Sequence, residues 1–398
     1  MRKLSLGVIA VLLSVPVLGG ETPTPTPAVA PPEIPVAQYL SDLASNEFSV
    51  REKAKSALIK AGLPVAPRVI DLLCAQDPDV VNQASAILTN VGLAALPALC
   101  AAESRQSRAP VKAFIERLIQ NRASTLLTDP LLTAEWTAPP PWNPKASLVV
   151  MTGSGHGGTL TLYRITPAGT GGCVILRIAF NEGRQSYSTR YPPAQVPVTV
   201  QTAALSADTF AAYTSFVSRV EAATLTALHS DQWTHSSSDF CALVSVEADG
   251  KALFKEAFVG YPSSQRLPFA KALTLSRGTT ELLQGAEFAD HTLTESERSW
   301  ASSFITGWHY PDGHDWWVRE RLLMMSGVVG DTSCLPMLQK TIESTSDQAS
   351  ESRQVYRAIN AIANLTGKDV REKPLEDMDL EANRVRTLKM LSELNPKP

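Results

Sequence analysis

The sequence predicts a mainly helical fold, in which two sets of stacked α-α repeats flank a small α+β domain with an antiparallel sheet. Three observations lead to this fold class. A pattern of apolar and turn residues recurs after 30 residues, the apolar spacing changes from helical to alternating after residue 145, and a phrase of the first repeat returns at Val318. A fixed period of this length is typical of stacked supersecondary units.

The chain begins with the features of an export signal. Arg2 and Lys3 precede a nearly continuous apolar run that ends at Leu18. This order is typical of a secretory signal peptide, assigned to residues 1–20, and an uncleaved N-terminal anchor is the alternative. We expect an exported protein, periplasmic or secreted, with no further membrane segment. Repeated proline predicts an extended tether over residues 21–35.

The overall charge bears on the class of partner. The formal net charge is −3, and hydrophobic residues make up 44% of the chain. Binding to nucleic acid requires a basic face, and binding to an anionic membrane surface requires a basic patch. The composition therefore argues against nucleic acid and against a polybasic membrane contact, and leaves a protein as the expected partner.

Two helix pairs are predicted within residues 36–125. The phrase VREKAKSALIKAGLPVAPRVIDLL begins at Val50, and VVNQASAILTNVGLAALPALCAA begins at Val80. A shift of 30 residues places Gly62 on Gly92. We expect such a glycine to end the first helix of its pair in the left-handed conformation.

These phrases resemble HEAT-like helical repeats. Residues 46–73, NEFSVREKAKSALIKAGLPVAPRVIDLL, are similar to repeats of exported bacterial proteins of planctomycete type. The resemblance covers residues 36–125 and implies an α-solenoid with a scaffold or protein-interaction role, and no reaction. A repeat of this kind does not bury its apolar face alone, so we expect another element to cover the open end.

The middle region, residues 145–285, predicts a sheet. Residues 159–166 alternate, residues 173–180 have a β composition, and Ser206 caps an amphipathic helix. Asp-Gly between alternating segments at residues 248–250 indicates a hairpin. This order predicts helices on one face of an antiparallel sheet.

The middle region also resembles emfourin-like domains, which inhibit metalloproteases. The likeness rests on the order of elements and on the phrase from Asp239 to Gly250. It implies an inhibitory role for this domain, and we transfer no inhibitory residue.

Five cysteines are an odd number for an exported chain. Cys173 and Cys241 lie in predicted strands, and a disulfide between them is expected if those strands are neighbours. Cys74, Cys100 and Cys334 lie in helical segments, where a cysteine is usually a small core residue.

The region 292–398 predicts a second helical block. Thr294 and Glu297 form a capping-box pattern, and Val318-Arg319-Glu320 repeats the phrase Val50-Arg51-Glu52. One hypothesis joins both blocks into a single solenoid. It predicts contact between helices near residues 113–119 and 318–325.

Two polar segments are candidate sites. The glycine-rich TGSGHGG at 152–158 is a hairpin loop rather than a phosphate loop, because a strand rather than a helix follows it. The segment WHYPDGHDWW is interpreted as a structural turn, with a binding surface or a metal site on His309, Asp312, His314 and Asp315 as alternatives. The candidate binding surface consists of Trp308, His309, Tyr310, Asp312, His314, Trp316 and Trp317.

The sequence therefore favours an exported, non-enzymatic scaffold that binds a protein partner through HEAT-like repeats. It predicts no catalytic residues, no metal and no cofactor, because no triad or nucleophile elbow can be assembled from its motifs. The alternatives are a protease inhibitor acting through the α+β domain and a metal-dependent hydrolase using the 309–315 cluster.

Overall fold

The fold was analysed on a computed structural model. It describes residues 35–106, 108–127, 132–154, 158–181, 196–227, 240–249, 251–260, 270–308, 316–344, 349–371 and 380–394. The predicted signal peptide and most of the tether lie outside these residues, so the export assignment stays a prediction.

The N-terminal helices follow the predicted repeat. In each of the two helix pairs a long helix ends at a glycine with positive φ, 68° at Gly62 and 70° at Gly92. A 3-10 turn and a second helix come next, as the left-handed stop predicts. The helices are α1 (Val36–Asp42), α2 (Phe48–Ala61), α3 (Ala66–Asp71), α4 (Pro78–Val91), α5 (Leu96–Gln106) and α6 (Ala109–Leu127).

The middle of the chain supplies most of the strands and two helices. They are β1 (Leu132–Glu135), β2 (Ser147–Ser154), β3 (Thr159–Pro167), β4 (Cys173–Asn181), β5 (Val198–Leu205), α7 (Ala207–Ala222), β6 (Thr224–Ala227), β7 (Phe240–Ala248), β8 (Lys251–Gly260) and α8 (Ala270–Leu283). Ser206 caps α7 as predicted, because its hydroxyl accepts the Thr209 N–H. The predicted hairpin is also present, with Ala248 paired to Lys251 and Asp249 at φ 49°.

The C-terminal region is helical after one short strand. Its elements are β9 (Ala289–Asp290), α9 (Glu295–Thr306), α10 (Trp316–Val329), α11 (Leu335–Glu343), α12 (Ala349–Thr366) and α13 (Leu380–Leu394). The predicted capping box opens α9: Thr294 accepts from the Glu297 N–H, and Glu297 accepts from the Thr294 N–H. The two partners are three residues apart, as the sequence pattern requires.

The strands form a seven-stranded sheet in the order β8-β7-β2-β3-β4-β5-β9, and every neighbouring pair is antiparallel. A separate pair joins β1 to β6. Successive residues of a strand point to opposite faces. Leu148 and Val150 therefore belong to one core, whereas Val149 and Met151 belong to another.

Helices cover both faces of the sheet, which corrects the prediction of helices on one face. On one side α7 and α8 share a core with the sheet, and α5 and α6 pack against these two helices. On the other side α9 and α10 share a core with the sheet, and α11, α12 and α13 form a further core with α10. The reason is that strands such as β2 carry apolar residues on both faces.

The single-solenoid hypothesis is wrong. Phe114 and Leu118 of α6 lie in the core on one side of the sheet, whereas Val318 and Leu322 of α10 lie in the core on the other. The open end of the N-terminal repeats is instead covered by α7 and α8. The boundary between the first helical block and the middle region is thus a change of secondary structure, and the core continues across it.

The predicted disulfide between Cys173 and Cys241 is also wrong. Cys173 lies on β4 and Cys241 on β7, and β3 and β2 separate these two strands. The two side chains are buried on opposite faces of the sheet, and no disulfide joins them. The condition of the prediction, that the strands be neighbours, is not met.

One stretch passes a length and composition test for a membrane span, contrary to expectation. It runs from Pro78 to Arg105 with a mean hydropathy of 1.7 in its most apolar window, of which 56% is buried. A 3-10 segment at residues 92–95 divides it into α4 and α5. The core helices of a folded domain pass the same test.

Candidate functional site

The predicted aromatic surface falls partly outside the described residues. His309, Tyr310, Asp312 and His314 are in the part that is not described, so their role stays a prediction. Trp316 opens α10 and is 42% exposed, and Trp308 is half-buried.

Trp317 does not lie on a surface, because only 3% of it is exposed. It packs in the core beneath the sheet, and the Arg321 guanidinium lies 4.6 Å from its ring centre. Arg321 also donates a hydrogen bond to the Ser154 carbonyl at 3.2 Å. Trp317 and Arg321 therefore attach the start of α10 to the end of β2, which is a structural role.

The glycine-rich segment forms the predicted hairpin connection. Ser154 at the end of β2 pairs with Thr159 at the start of β3, and residues 155–157 between them are outside the described part of the chain. A phosphate loop would lead into a helix N-terminus. The pairing of two strands here supports the hairpin interpretation.

Two thiols are unsuited to nucleophilic chemistry. Burial raises the pKa of Cys100 to about 11, against a hydrogen bond from Thr209, and burial raises the pKa of Cys173 to about 12. Both side chains are therefore neutral thiols at neutral pH, and the thiolate is the reactive form. Within the described ranges no group of three or more His, Cys, Asp or Glu side chains is arranged to hold a metal ion.

A cavity of about 580 Å³ opens between the second helices of the two N-terminal repeats and the start of α6. Its apolar lining comes from Pro67 and Ile70 on α3 and from Ala98 and Ala102 on α5. Ile70 and Ala102 are buried because they also belong to the N-terminal core. The cavity is thus fixed by the packing of the repeats.

Arginine dominates the polar lining of this cavity. Arg68 comes from α3, Arg105 from α5 and Arg108 from the connection to α6, with Asp71 as the one acidic residue lining it. Arg108 donates to Asp71 across 2.6 Å. Arg105 donates through Nε to the Ala101 carbonyl at 2.9 Å, which orients its side chain along α5. Three positive charges against one negative charge leave the lining at +2.

We call this set of eight residues the arginine cavity. Its lining holds guanidinium donors over an apolar floor and contains no nucleophile and no imidazole. Guanidinium groups stay charged and bind carboxylates and phosphates through paired N–H donors. The arrangement suits binding of an anionic group, and it offers no group for acid–base catalysis.

Sequence reasoning missed the arginine cavity. A shift of 30 residues places Arg68 on Ala98, so the repeat does not duplicate the charge. Arg105 and Arg108 are three residues apart in the link between α5 and α6, which reads as an ordinary polar connection. The only available signal was this local pair of arginines, and bringing Arg68 beside it depends on the packing of α3 on α5.

A second cluster of charges lies where α8 begins. Glu256 on β8 accepts the Ala272 N–H at 3.0 Å, and Lys271 donates to the Glu221 carbonyl at 2.6 Å. Burial raises the pKa of Glu256 to about 7, opposed by the Ala272 hydrogen bond and by Lys271. Burial also raises the pKa of Glu221, again opposed by Lys271. The arrangement stabilises the helix start, where exposed N–H groups require acceptors.

Comparison with protein-family models, with curated proteins and with solved structures found no match.

Proposed function

We propose that the chain is an exported, non-enzymatic scaffold that binds a protein partner through its HEAT-like N-terminal helices. The observation that carries this proposal is the arginine cavity, formed where α3 and α5 meet the start of α6. Stacked helix pairs bury one side and present the other for binding. The buried side here faces α7 and α8, and the cavity is part of the open side.

The position of the sheet supports the same choice. Both of its faces are filled, one by α7 and α8 and the other by α9 and α10. A partner therefore has no access to a sheet face unless a helical layer is displaced. The outer surfaces of the helical layers are the larger accessible surfaces of the fold, and the arginine cavity lies on one of them.

The test is affinity capture from exported proteins of the source organism. The full chain is immobilised as wild type, as Arg68→Glu/Arg105→Glu and as Arg117→Glu/Arg319→Glu. Arg117 on α6 and Arg319 on α10 are exposed and lie outside the arginine cavity, so this control changes the charge equally.

We expect a protein that the wild type and the control variant retain and the cavity variant loses, because reversed charges repel an anionic partner. Equal retention by all three chains would overturn the assignment to this site. The absence of any protein specific to the wild type would overturn the scaffold proposal itself.

A further inference from the structure

We propose that the arginine cavity binds an acidic peptide segment, with carboxylates against Arg68 and Arg105 and aliphatic side chains on the apolar floor. This inference rests on the proposed function and names the chemistry of the partner. It follows from three features of the cavity: its charge, its size and the character of its floor.

The charge selects an anion. Asp71 is used by Arg108, and its single charge leaves Arg68 and Arg105 uncompensated by any residue lining the cavity. Among the described residues Arg68 has no ion pair, and Arg105 bonds a backbone carbonyl rather than a carboxylate. Both side chains are exposed, so a ligand reaches them without a rearrangement of the core. Two guanidinium groups on neighbouring helices suit two carboxylates of one segment.

The size selects a segment rather than a small anion. A volume of about 580 Å³ is within the range of sites that enclose several ligand groups. A single phosphate or free carboxylate would occupy a small part of it and would leave Ile70, Ala98 and Ala102 in contact with water. A peptide places apolar side chains on that floor, where burial of apolar surface adds to affinity.

The surroundings argue against nucleic acid as the occupant. Asp208, at the start of α7, accepts a hydrogen bond from Ser104, the residue that precedes Arg105. Glu103 lies on the same helix α5, and the chain as a whole has a net charge of −3. A phosphate backbone needs a long basic face, whereas here the basic area is confined to the cavity. A short acidic stretch with apolar neighbours matches this local charge.

The test is fluorescence anisotropy with the full chain and defined probes. The probe is a fluorescein-labelled decapeptide that alternates glutamate and leucine, and its control replaces each glutamate with glutamine. We expect saturable binding of the glutamate peptide that weakens as salt rises, because the contacts are between exposed charges. Binding of the glutamine peptide should be at least about tenfold weaker.

Variants locate the binding to the arginine cavity. Arg68→Gln/Arg105→Gln should weaken binding of the glutamate peptide about tenfold, since it removes two charged contacts. Arg117→Gln/Arg319→Gln removes the same charge elsewhere and should bind as the wild type does. Equal binding of the two peptides, or equal loss in both variants, would overturn the inference.

Inorganic phosphate is the competitor that separates a peptide site from a simple anion site. Complete displacement of the peptide by phosphate at matched ionic strength would overturn the peptide inference. Failure here is distinguishable from failure of the proposed function. If neither peptide binds while the capture experiment still yields a partner that depends on Arg68 and Arg105, the scaffold stands and its acidic-peptide chemistry is wrong.

Discussion

Gly62 and Gly92 are equivalent in the repeat but have different surroundings. Both have positive φ, which disfavours any other residue. A Cβ at Gly62 would meet nothing within 4 Å, whereas a Cβ at Gly92 would overlap the Glu281 carboxylate. That carboxylate accepts the Leu93 N–H at 2.9 Å and pairs with Arg122 at 3.0 Å. Gly92 thus allows α8 to attach to the N-terminal repeats.

Replacement of each glycine by alanine separates these two effects. Gly62→Ala should lower the free energy of unfolding by about 1 kcal/mol, the cost of the left-handed conformation. Gly92→Ala should lower it by about 3 kcal/mol, because Glu281 must also leave Leu93 and Arg122. Urea unfolding of both variants measures the difference. Equal losses would show that the Glu281 contact adds nothing to stability.

Glu256 predicts a pH dependence of stability. Its pKa of about 7 in the folded chain is above the ordinary value of 4.5, because burial penalises the carboxylate. The folded state therefore binds the proton more tightly than the unfolded state does. The resulting stabilisation is fully present below the ordinary pKa and is lost as pH rises through about 7.

We expect the urea midpoint of the wild type to fall between about pH 5 and about pH 8. Glu256→Gln keeps an oxygen for the Ala272 N–H and does not titrate, so its fall should be smaller. A residual slope is expected, because burial also raises the pKa of Glu221. Identical pH profiles for the wild type and the variant would contradict this account of Glu256.

At the scale of elements, the Val-Arg-Glu phrase has two different outcomes. In α2, Glu52 pairs with Lys55 one turn later, and both side chains are partly exposed. In α10, Glu320 pairs with Arg357 of α12 at 3.0 Å, with only 13% and 3% of the two side chains exposed. The same sequence phrase is therefore a surface pair in one helix and a buried link between helices in the other.

This difference predicts unequal effects of one substitution. Glu320→Gln should cost about 3 kcal/mol of stability, because Arg357 loses the carboxylate that compensates its buried charge. Glu52→Gln should cost less than about 0.5 kcal/mol, as expected for an exposed pair on one helix. Thermal unfolding of the two single variants gives the comparison. A cost for Glu52→Gln that equals that of Glu320→Gln would refute it.

Local signals predicted the elements well, and their physical basis explains why. The caps at Ser206 and Thr294 and the Asp249 turn depend on residues within three positions of each other. The positive-φ glycines depend on one residue. Such features are complete within a short stretch of sequence, so no knowledge of distant contacts is needed.

The arrangement of whole layers could not be predicted in the same way. The run Leu148-Val149-Val150-Met151 is apolar at every position, which is typical of a strand covered on both faces. It does not say which helices provide the cover. The arginine cavity is also non-local, because Arg68 and Arg105 meet only when α3 packs on α5. The local repeat fixed the helices, and packing created the candidate site.

At the scale of the whole molecule, the sheet separates two helical layers of different character. The N-terminal layer contains the arginine cavity, whereas the C-terminal layer is joined to the sheet through Trp317 and Arg321. A ligand of the cavity should therefore protect one side of the molecule. This separation makes the location of binding measurable.

Amide hydrogen exchange of the full chain, with and without the saturating glutamate–leucine peptide, tests the central claim most directly. We predict slower exchange within residues 63–74 and 96–106, which flank the arginine cavity, and unchanged exchange within residues 316–343 of the opposite layer. Slower exchange in the C-terminal layer, with no change around the arginine cavity, would contradict the account.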